Sequence, residues 1–424
     1  MRVLLISANR EDGDMRVPAL GLACVAASAA GAGHETRILD LMIEPEPRLA
    51  LEDVIGNFRP DAIGVSVRNI DDQSMRRPRF LLDQAREAVA RCRESSAAPV
   101  ILGGAGFSIL PRPILDYVGA DMGIAGEGES VFPELLARIE AGKDPGTLPG
   151  LYRAQGTGTA PCAYVSNLDD LPLPDPHLLA RSLAGAVDAP VPVQSRRGCP
   201  VGCSYCSTPL IEGKVVRRRS PEAVAEWMAR WAAEGFRRFY FVDNTFNLPA
   251  EYAAGLCGAI LDAHLDIDWR CILVPTVVSA ELAGLMARAG CREVSLGFES
   301  GSAALLGGMR KPFDPGDVRL AAERLRRAGI GRMGFLLLGG PGETEETARE
   351  SFDFAESLEL EALKITIGVR IYPGTELARV ALGEGVIASE AELLHPRFYM
   401  ARGLEDRLRA LAARRQARNP GWIL

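Results

Sequence analysis

The sequence predicts an α/β protein built on two parallel sheets, and three observations support this fold class. Short apolar runs alternate with helical patterns through the first 145 residues. A proline-rich stretch then interrupts the alternation, and further strand–helix units begin at residue 191. The apolar runs are continuous rather than alternating, which is typical of strands that helices cover on both faces.

Residues 1–145 predict a doubly wound, Rossmann-like domain with five parallel strands. The intervals between its candidate strands leave room for helical crossovers, and ligands of such sheets bind at the carboxyl ends of the strands. The glycines of this region lie at those ends. The candidate strands are 3–8, 36–41, 62–67, 100–106 and 122–128.

Residues 146–190 predict a linker, because "LDDLPLPDPHLL" places its prolines close together. Residues 191–380 predict a partial (β/α)6 TIM-type barrel, with its chemistry at the carboxyl ends of the strands. The helix at 220–234 has Ser220 as its expected N-cap. Residues 381–424, rich in Arg, Ala and Leu, predict a C-terminal helical cap. The candidate strands of the barrel are 191–196, 236–243, 268–274, 292–298, 331–338 and 364–371.

Composition narrows the class of protein. The 424 residues carry a net charge of −7, with a pI near 5.4, which argues against a general nucleic-acid binder and against a polybasic membrane patch. No apolar stretch is long enough for a membrane span, and the N-terminal apolar run is too short for a signal peptide. We therefore expect a cytoplasmic protein with no nucleic-acid partner. In that reducing compartment, clustered cysteines usually bind metal or take part in catalysis.

Three of the nine cysteines crowd into "SRRGCPVGCSYCSTP", where Cys199, Cys203 and Cys206 have C-x3-C-x2-C spacing. A structural zinc site needs a fourth ligand, and the sequence has no second C-x2-C pair. Three thiolates fit an iron–sulfur cluster in which one iron has no protein ligand and can bind a substrate or cofactor. A zinc site or unrelated thiols remain the alternative.

This motif resembles that of the radical S-adenosylmethionine (radical SAM) superfamily, in its spacing, in the aromatic Tyr205 before the last cysteine, and in its place after the first barrel strand. The resemblance implies a 4Fe–4S cluster on the three cysteines. Its open iron would bind the methionine part of SAM, and an electron from the cluster would release a 5′-deoxyadenosyl radical. The protein's task would be positioning and exclusion of water.

Later segments resemble the same superfamily at successive strand ends, and the resemblance places several of their residues near SAM. The glycines of "FLLLGGPGET" would let the backbone approach adenine, although Glu343 there could simply cap the next helix. The implied SAM contacts are Asp243 and Asn244 in "FVDNTFNL", Glu299 and Ser300 in "LGFESGSAALLGGMRK", and Gly339 and Pro341 in "FLLLGGPGET".

The N-terminal region resembles the cobalamin-binding domain found in many of these enzymes. Small residues would leave room for the nucleotide tail of cobalamin between sheet and helix. The alternative is that these glycines only end strands in an empty flavodoxin-like domain. The residues that carry the resemblance are "PALGL" at 18–22, Ser66, Gly103, Gly104, and Gly126 and Glu127 in "GEGE".

The loop after the first strand, residues 8–17, contains no histidine, so cobalt is not expected to have a histidine ligand. His34 is expected at the surface. Arg68 is a candidate catalytic residue that would keep the lower face of the corrin uncoordinated, because a guanidinium only donates hydrogen bonds. A salt bridge from Arg68 to Asp71 or Asp72 is the alternative.

Several notable residues lie outside these motifs. Tyr399 is a candidate catalytic residue that could reach the barrel mouth. The arginine run 217–219 is expected to be solvated, and Trp227 and Trp231 are expected in the core.

Together the resemblances imply a cobalamin-dependent radical SAM C-methyltransferase of class B type. It would pass a methyl group from SAM, via methylcobalamin, to a carbon of a small-molecule substrate, with flavodoxin or ferredoxin as electron donor. Radical and polar methyl transfer both stay open. The rival functions are a rearrangement or another SAM-derived group transfer with cobalamin unused or absent, and a non-enzymatic iron–sulfur or zinc protein.

Overall fold

The computed structural model describes residues 1–10, 18–154, 161–183 and 189–424, and its contacts divide the chain into two compact units. By these contacts most of the predicted linker belongs to the first unit, and the predicted C-terminal cap belongs to the second. Each unit also contains a short segment distant in sequence from the rest of it. The first unit comprises Met1–Asp72, Pro78–Ala189 and Leu210–Gly213, and the second comprises Gln73–Arg77, Pro190–Pro209 and Lys214–Leu424.

The first unit is built on a sheet with the strand order β2-β1-β3-β4-β5-β6 among its described residues. Strands β1 to β5 are parallel, which confirms the prediction, and the short β6 adds an antiparallel edge within the segment predicted as linker. The strands are β1 Arg2–Ser7, β2 Glu35–Asp40, β3 Ala62–Ser66, β4 Val100–Gly103, β5 Met122–Ile124 and β6 Leu151–Arg153.

Helices cover this sheet, as continuous apolar strands require. One layer of the core lies between the sheet and helices α1 and α6, where Leu5, Ala26 and Phe132 are buried. His34, expected at the surface, is buried instead, with its Nδ1 3.3 Å from the N-terminal nitrogen of Met1. The helices are α1 Leu20–Gly31, α2 Pro47–Phe58, α3 Leu82–Ser95, α4 Ala105–Ile109, α5 Pro111–Val118, α6 Gly128–Glu140 and α7 His177–Leu183.

The second unit contains a parallel sheet whose described strands follow the order β17-β14-β13-β12-β11-β10-β7. Six of these strands coincide with the six predicted, and each pairs in parallel with the next along the chain, as in a partial barrel. The C-terminal β17 adds to the edge at β14. The strands are β7 Val191–Val193, β10 Arg238–Phe241, β11 Asp268–Leu273, β12 Cys291–Glu299, β13 Gly331–Leu338, β14 Ala362–Ile367 and β17 Trp422–Ile423.

The helix Pro221–Ala233 begins at its predicted cap. The Ser220 hydroxyl accepts from Ala223 N, and Trp227 and Trp231 are buried as expected. Thr344, rather than Glu343, caps the helix after β13. The helices are α8 Thr208–Glu212, α9 Pro221–Ala233, α10 Ala250–Asp262, α11 Ala280–Arg288, α12 Ala303–Gly308, α13 Pro315–Arg327, α14 Glu345–Ser357, α15 Glu376–Gly383 and α16 Glu405–Gln416, with 3-10 turns at Leu168–Asp170, Pro275–Val277 and Glu390–Leu394.

Two small antiparallel pairs complete the second unit. They are β8 Arg196–Arg197 with β9 Arg217–Arg218, and β15 Val369–Arg370 with β16 Phe398–Tyr399. Arg217 and Arg219 are buried, which corrects the expectation that the arginine run is solvated. No helix in the described ranges is both long enough and apolar enough to cross a bilayer.

Segment Gln73–Arg77 packs within the second unit, although the chain around it belongs to the first. Gly368, between β14 and β15, has φ +89°, and any side chain there would collide with Met75. The close approach of Met75 therefore needs glycine at this position.

Candidate cofactor site

The cysteine loop follows β8 and is held to the barrel through the backbone of Ser204. Ser204 N donates to Met309 O at 3.0 Å, and Ser204 O accepts from Leu377 N at 2.9 Å. These bonds place the middle of the loop between the end of α12 and the start of α15. Because both partners are backbone groups, the position of the loop does not depend on a flexible side chain.

Asp243, just after β10, holds the strand end that leads into this loop. Its carboxylate accepts from Ser195 N at 2.8 Å, Ser195 Oγ at 2.5 Å and Arg196 N at 3.1 Å, and lies 3.6 Å from Arg196 Nε. Burial raises the pKa of Asp243, while Arg196 and these hydrogen bonds oppose the rise. Asp243 was expected to contact SAM. It is instead completely buried and positions the start of the cysteine loop.

Asn244 connects to the third cysteine through Thr208. The Thr208 hydroxyl donates to Asn244 Oδ1 at 3.3 Å and accepts from the Cys206 thiol at 3.3 Å. Thr208 N donates to Cys206 Sγ at 3.4 Å. A backbone N–H directed at sulfur stabilises a thiolate, the form of cysteine that binds metal.

Glu299 ends β12 and faces the same loop. Its φ of +65° is left-handed, a strained conformation for a residue other than glycine that is frequent at functional sites. Its Oε1 accepts from Tyr205 OH at 3.0 Å and lies 3.3 Å from Lys311 Nζ. Lys311 Nζ also lies 5.3 Å from the centre of the Tyr205 ring. These three residues form one partly buried polar cluster, the Tyr205–Glu299–Lys311 cluster.

The charges of this cluster act on the cysteines. Burial raises the pKa of Cys203, and the positive charge of Lys311 opposes that rise. Burial also disfavours charged Lys311, but Glu299 and the nearby cysteines outweigh it, so the pKa of Lys311 is raised. Burial and the neighbouring Glu299 raise the pKa of Tyr205. Lys311 is therefore the positive charge that compensates the negative groups around it.

The fit to an iron–sulfur cluster rests on the chemistry of these donors. Cys199, Cys203 and Cys206 share one loop, in which Cys199 is buried and the other two thiols are partly buried. Within the described ranges, no group of three or more His, Cys, Asp and Glu side chains is arranged as a metal site, these three thiols included. Three thiols within eight positions, beside a buried cation, nevertheless suit a metal centre that brings negative charge. The assignment of the three cysteines as ligands stays a prediction.

The remaining barrel motifs lie at strand ends, as expected. Ser300 is fully buried, and its hydroxyl lies 2.9 Å from Ser351 Oγ, so its side chain ties β12 to α14. Gly339 has φ +95° and its N donates to Glu343 Oε2 at 3.3 Å, while Pro341 is exposed. Their contacts with SAM stay predictions.

Tyr399 lies in β16, and its hydroxyl donates to Glu384 Oε2 at 2.7 Å. Burial and Glu384 raise its pKa to about 12. The structure thus shows a hydrogen bond that anchors the C-terminal region, and a catalytic role for Tyr399 stays a prediction.

In the first unit, Ser66 and Gly103 are paired at the carboxyl ends of β3 and β4, with Gly104 next to them. Gly104 has φ +100°, and a Cβ there would lie 2.6 Å from Val67 O and 3.0 Å from Ser66 Oγ. A Cβ on Gly103 would instead meet only Ile124 O, at 3.9 Å. Gly104 is therefore closely packed, whereas the space beside Gly103 is open, and this open space fits the predicted slot for the cobalamin tail.

The other residues predicted around cobalamin have contacts of their own. Gly126 has φ +85° and its N donates to Ser108 Oγ at 2.9 Å. Glu127 is buried and its Oε2 accepts from Val165 N at 2.8 Å, so it binds this chain's backbone. Their roles toward cobalamin stay predictions.

Arg68 is partly buried just beyond β3. Asp72, one of its two alternative partners, accepts from Arg79 N and Arg79 Nε, both at 3.1 Å. Asp71 lies opposite Phe80 in an isolated β-bridge. The hypothesis that Arg68 faces the corrin stays a prediction.

The two glycines give a matched test of the slot. We expect Gly103→Ala to fold normally but to weaken cobalamin binding roughly tenfold to a hundredfold, because overpacking by one methyl group costs about 1–3 kcal/mol. Gly104→Ala should instead lower the free energy of unfolding by about 1–3 kcal/mol, because its backbone is left-handed. Cobalamin titrations and urea unfolding measure the two effects. Unchanged cobalamin affinity in Gly103→Ala would contradict the slot.

Three contributors to the site were not identified from the sequence: Lys311, Thr208 and Arg196. Lys311 lies within a motif quoted for Glu299, but a lysine in a sequence does not reveal that it is buried. Thr208 follows the last cysteine by two positions, which is a usable signal for a hydrogen bond to sulfur. Arg196 precedes the first cysteine by three, and its burial depends on the fold.

Comparisons with known proteins agree with this geometry. A radical SAM superfamily model matches residues 193–355, and a B12 binding domain model matches residues 10–136. An uncharacterized methyltransferase of Pyrococcus horikoshii is 28% identical over 91% of this chain and 84% of its own length. The tryptophan 2-C-methyltransferase of Streptomyces laurentii is 26% identical over 89% of this chain and 74% of its own length.

A solved structure shares the whole fold. It is the radical S-adenosylmethionine methyltransferase TsrM from Kitasatospora setae, with cobalamin and a [4Fe-4S] cluster bound. The TM-score is 0.86 at 23% identity, covering 100% of this chain and 90% of TsrM. The chain thus carries a B12 binding domain followed by a radical SAM domain, the two domains of cobalamin-dependent radical SAM enzymes.

Proposed function

We propose that this enzyme transfers a methyl group from SAM to a carbon atom of a small-molecule substrate. The observation that carries the proposal is the partly buried Tyr205–Glu299–Lys311 cluster beside the C-x3-C-x2-C thiols at the ends of parallel strands. Polar and charged groups are rarely buried unless they are paired, and groups with shifted pKa values cluster at active sites. The tryptophan methyltransferase among its relatives acts on a small molecule, which favours that substrate class.

Cys199, Cys203 and Cys206 would hold the 4Fe–4S cluster, and the slot beside Ser66, Gly103 and Gly104 would hold part of cobalamin. When bound, the cluster supplies an electron to SAM and cobalamin carries the methyl group. The other predicted binding residues, which keep their proposed contacts with these cofactors, are Arg68, Gly126, Glu127, Tyr205, Asn244, Glu299, Ser300, Gly339 and Pro341.

The chain's own residues perform positioning. Asp243 orients the backbone of Ser195 and Arg196, so the chain has a fixed position just before Cys199, the first cysteine. Thr208 N donates to Cys206 Sγ and fixes the position of that sulfur. Glu299 holds the Tyr205 hydroxyl at 3.0 Å, so the ring next to the last cysteine has one orientation.

Two partner assignments belong to this proposal. An electron must reach the cysteine site from outside, and flavodoxin or ferredoxin is the proposed donor. A cytoplasmic location is proposed with it, because a reducing compartment keeps the thiols available for metal.

Anaerobic reconstitution tests the proposal. The protein is loaded with iron, sulfide and hydroxocobalamin, reduced, and incubated with methyl-deuterated SAM and a panel of small molecules that includes tryptophan. We expect about four iron atoms per chain, release of S-adenosylhomocysteine, and a product heavier by one labelled methyl group. One zinc per chain would contradict the metal assignment. A product carrying a larger SAM-derived group, or none, would contradict methyl transfer.

A further inference from the structure

Lys311 is a buried lysine to which the cofactor assignments give no role. Its side chain is 7% exposed and its Nζ lies 3.3 Å from Glu299 Oε1 and 3.5 Å from Gly297 O. The rings of Tyr205 and Phe313 lie 5.3 and 5.8 Å from the same nitrogen. A buried ammonium is costly unless negative charge compensates it, so this position is informative about its surroundings.

Glu299 provides the carboxylate that compensates the charge of Lys311, and the same carboxylate accepts the Tyr205 hydroxyl. Any further negative group near this pair would interact with both charges. Tyr205, whose ring centre lies 5.3 Å from Lys311 Nζ, directly precedes Cys206 in the cysteine loop. A 4Fe–4S centre on three thiolates brings one net negative charge, and one-electron reduction adds a second, so a fixed cation nearby stabilises the reduced form more.

We propose that Lys311 is a positioning residue that raises the reduction potential of the centre held by Cys199, Cys203 and Cys206, with Glu299 acting in the opposite sense. The inference rests on the proposed function only in that it assumes a cluster on these cysteines. Neither methyl transfer nor cobalamin enters it. Because Lys311 and Glu299 form one buried pair, their opposite charges tune the same site.

A purely structural role makes a different prediction. If Lys311 only anchored Glu299 and its left-handed backbone, both single variants would disturb the site in the same direction. Electrostatic tuning instead requires opposite shifts for the two variants and near-restoration in the charge-neutral double variant. The direction of the shift therefore separates the two roles.

The test is a redox titration of the reconstituted holoenzyme without SAM, with dithionite supplying one electron per cluster and EPR measuring the reduced fraction. At the potential where the wild-type cluster is half reduced, we expect Lys311→Met to lower the reduced-to-oxidised ratio about tenfold, which is 59 mV for a one-electron couple. Glu299→Gln should raise the ratio. Lys311→Arg should keep it near the wild-type value.

Arg310→Met is the matched control. It removes a positive charge one position away, but Arg310 is 59% exposed and pairs with Glu376 at 3.4 Å, so water screens its charge. We expect no shift for this variant.

Should Lys311→Met fail to fold or to take up iron, the double variant Glu299→Gln with Lys311→Met removes both charges of the pair and leaves no buried charge uncompensated. Its ratio is expected near wild type.

The inference would be overturned by an unchanged ratio in Lys311→Met, by shifts of the same sign in the two single variants, or by an equal shift in Arg310→Met. A double variant whose ratio falls tenfold would also overturn it. Absence of iron in the wild-type protein would instead refute the cluster, and with it the proposed function. If the redox titrations give the expected shifts but no methyl transfer is detected, only the proposed function is refuted.

Discussion

Cys203→Ala abolishes iron retention and product formation, if the three thiols hold the cluster. Loss of one of three ligands removes a bond that no neighbouring histidine or acidic cluster replaces in the described part of the chain. Iron per chain, measured after anaerobic reconstitution and gel filtration, should fall from about four to near zero. The visible absorbance of the cluster should disappear with it, and no deoxyadenosine should form.

Cys162→Ala serves as the control for that result. Cys162 is a half-buried thiol in the first unit and lies outside the C-x3-C-x2-C motif. Its replacement should leave iron content and absorbance unchanged. Full iron content in Cys203→Ala would contradict the ligand assignment, whatever the activity.

Asp243→Ala should lower the free energy of unfolding by about 3–5 kcal/mol, the cost of breaking a buried ion pair by removing one partner. The substitution leaves Arg196 buried without its carboxylate, and Ser195 N and Arg196 N lose their acceptor. The start of the cysteine loop should then lose its fixed position, so iron uptake should fall as well.

Urea unfolding followed by tryptophan fluorescence measures this effect. All four tryptophans lie in the second unit, so the signal reports on the unit that contains Asp243. Asp268→Ala is the control, because its ion pair with Arg292 is exposed and should contribute less than about 1 kcal/mol. Equal losses in the two variants would show that the Asp243 carboxylate does not hold the strand end.

The strands could be predicted from the sequence because their signal is local. Continuous apolar runs bounded by turns marked the five parallel strands of the first unit and six strands of the second. Strand β6 was missed, since three residues with one buried side chain carry no periodic signal. His34, Arg217 and Arg219 were misplaced, because their burial depends on neighbours distant in sequence.

The candidate site was predicted less completely, for a related reason. Motif spacing located the cysteines and Glu299, which depend on local sequence. Motif spacing placed Asp243 among the groups that would face SAM. Only the fold shows that its carboxylate accepts hydrogen bonds from the backbone of Ser195 and Arg196. Likewise, the importance of Lys311 depends on its distance to Glu299, twelve positions earlier in the chain.

The exchange of short segments between the two units limits how the enzyme can be dissected. A fragment ending near residue 189 would retain Gln73–Arg77 but leave behind the second unit, with which those residues pack. The complementary fragment would lack Met75, which lies close against Gly368. It would also contain Leu210–Gly213, which packs with the first unit. Each half, when expressed separately, should therefore lack a segment that packs with it in the full chain. Co-expression of both halves is the better starting point for studying either cofactor alone.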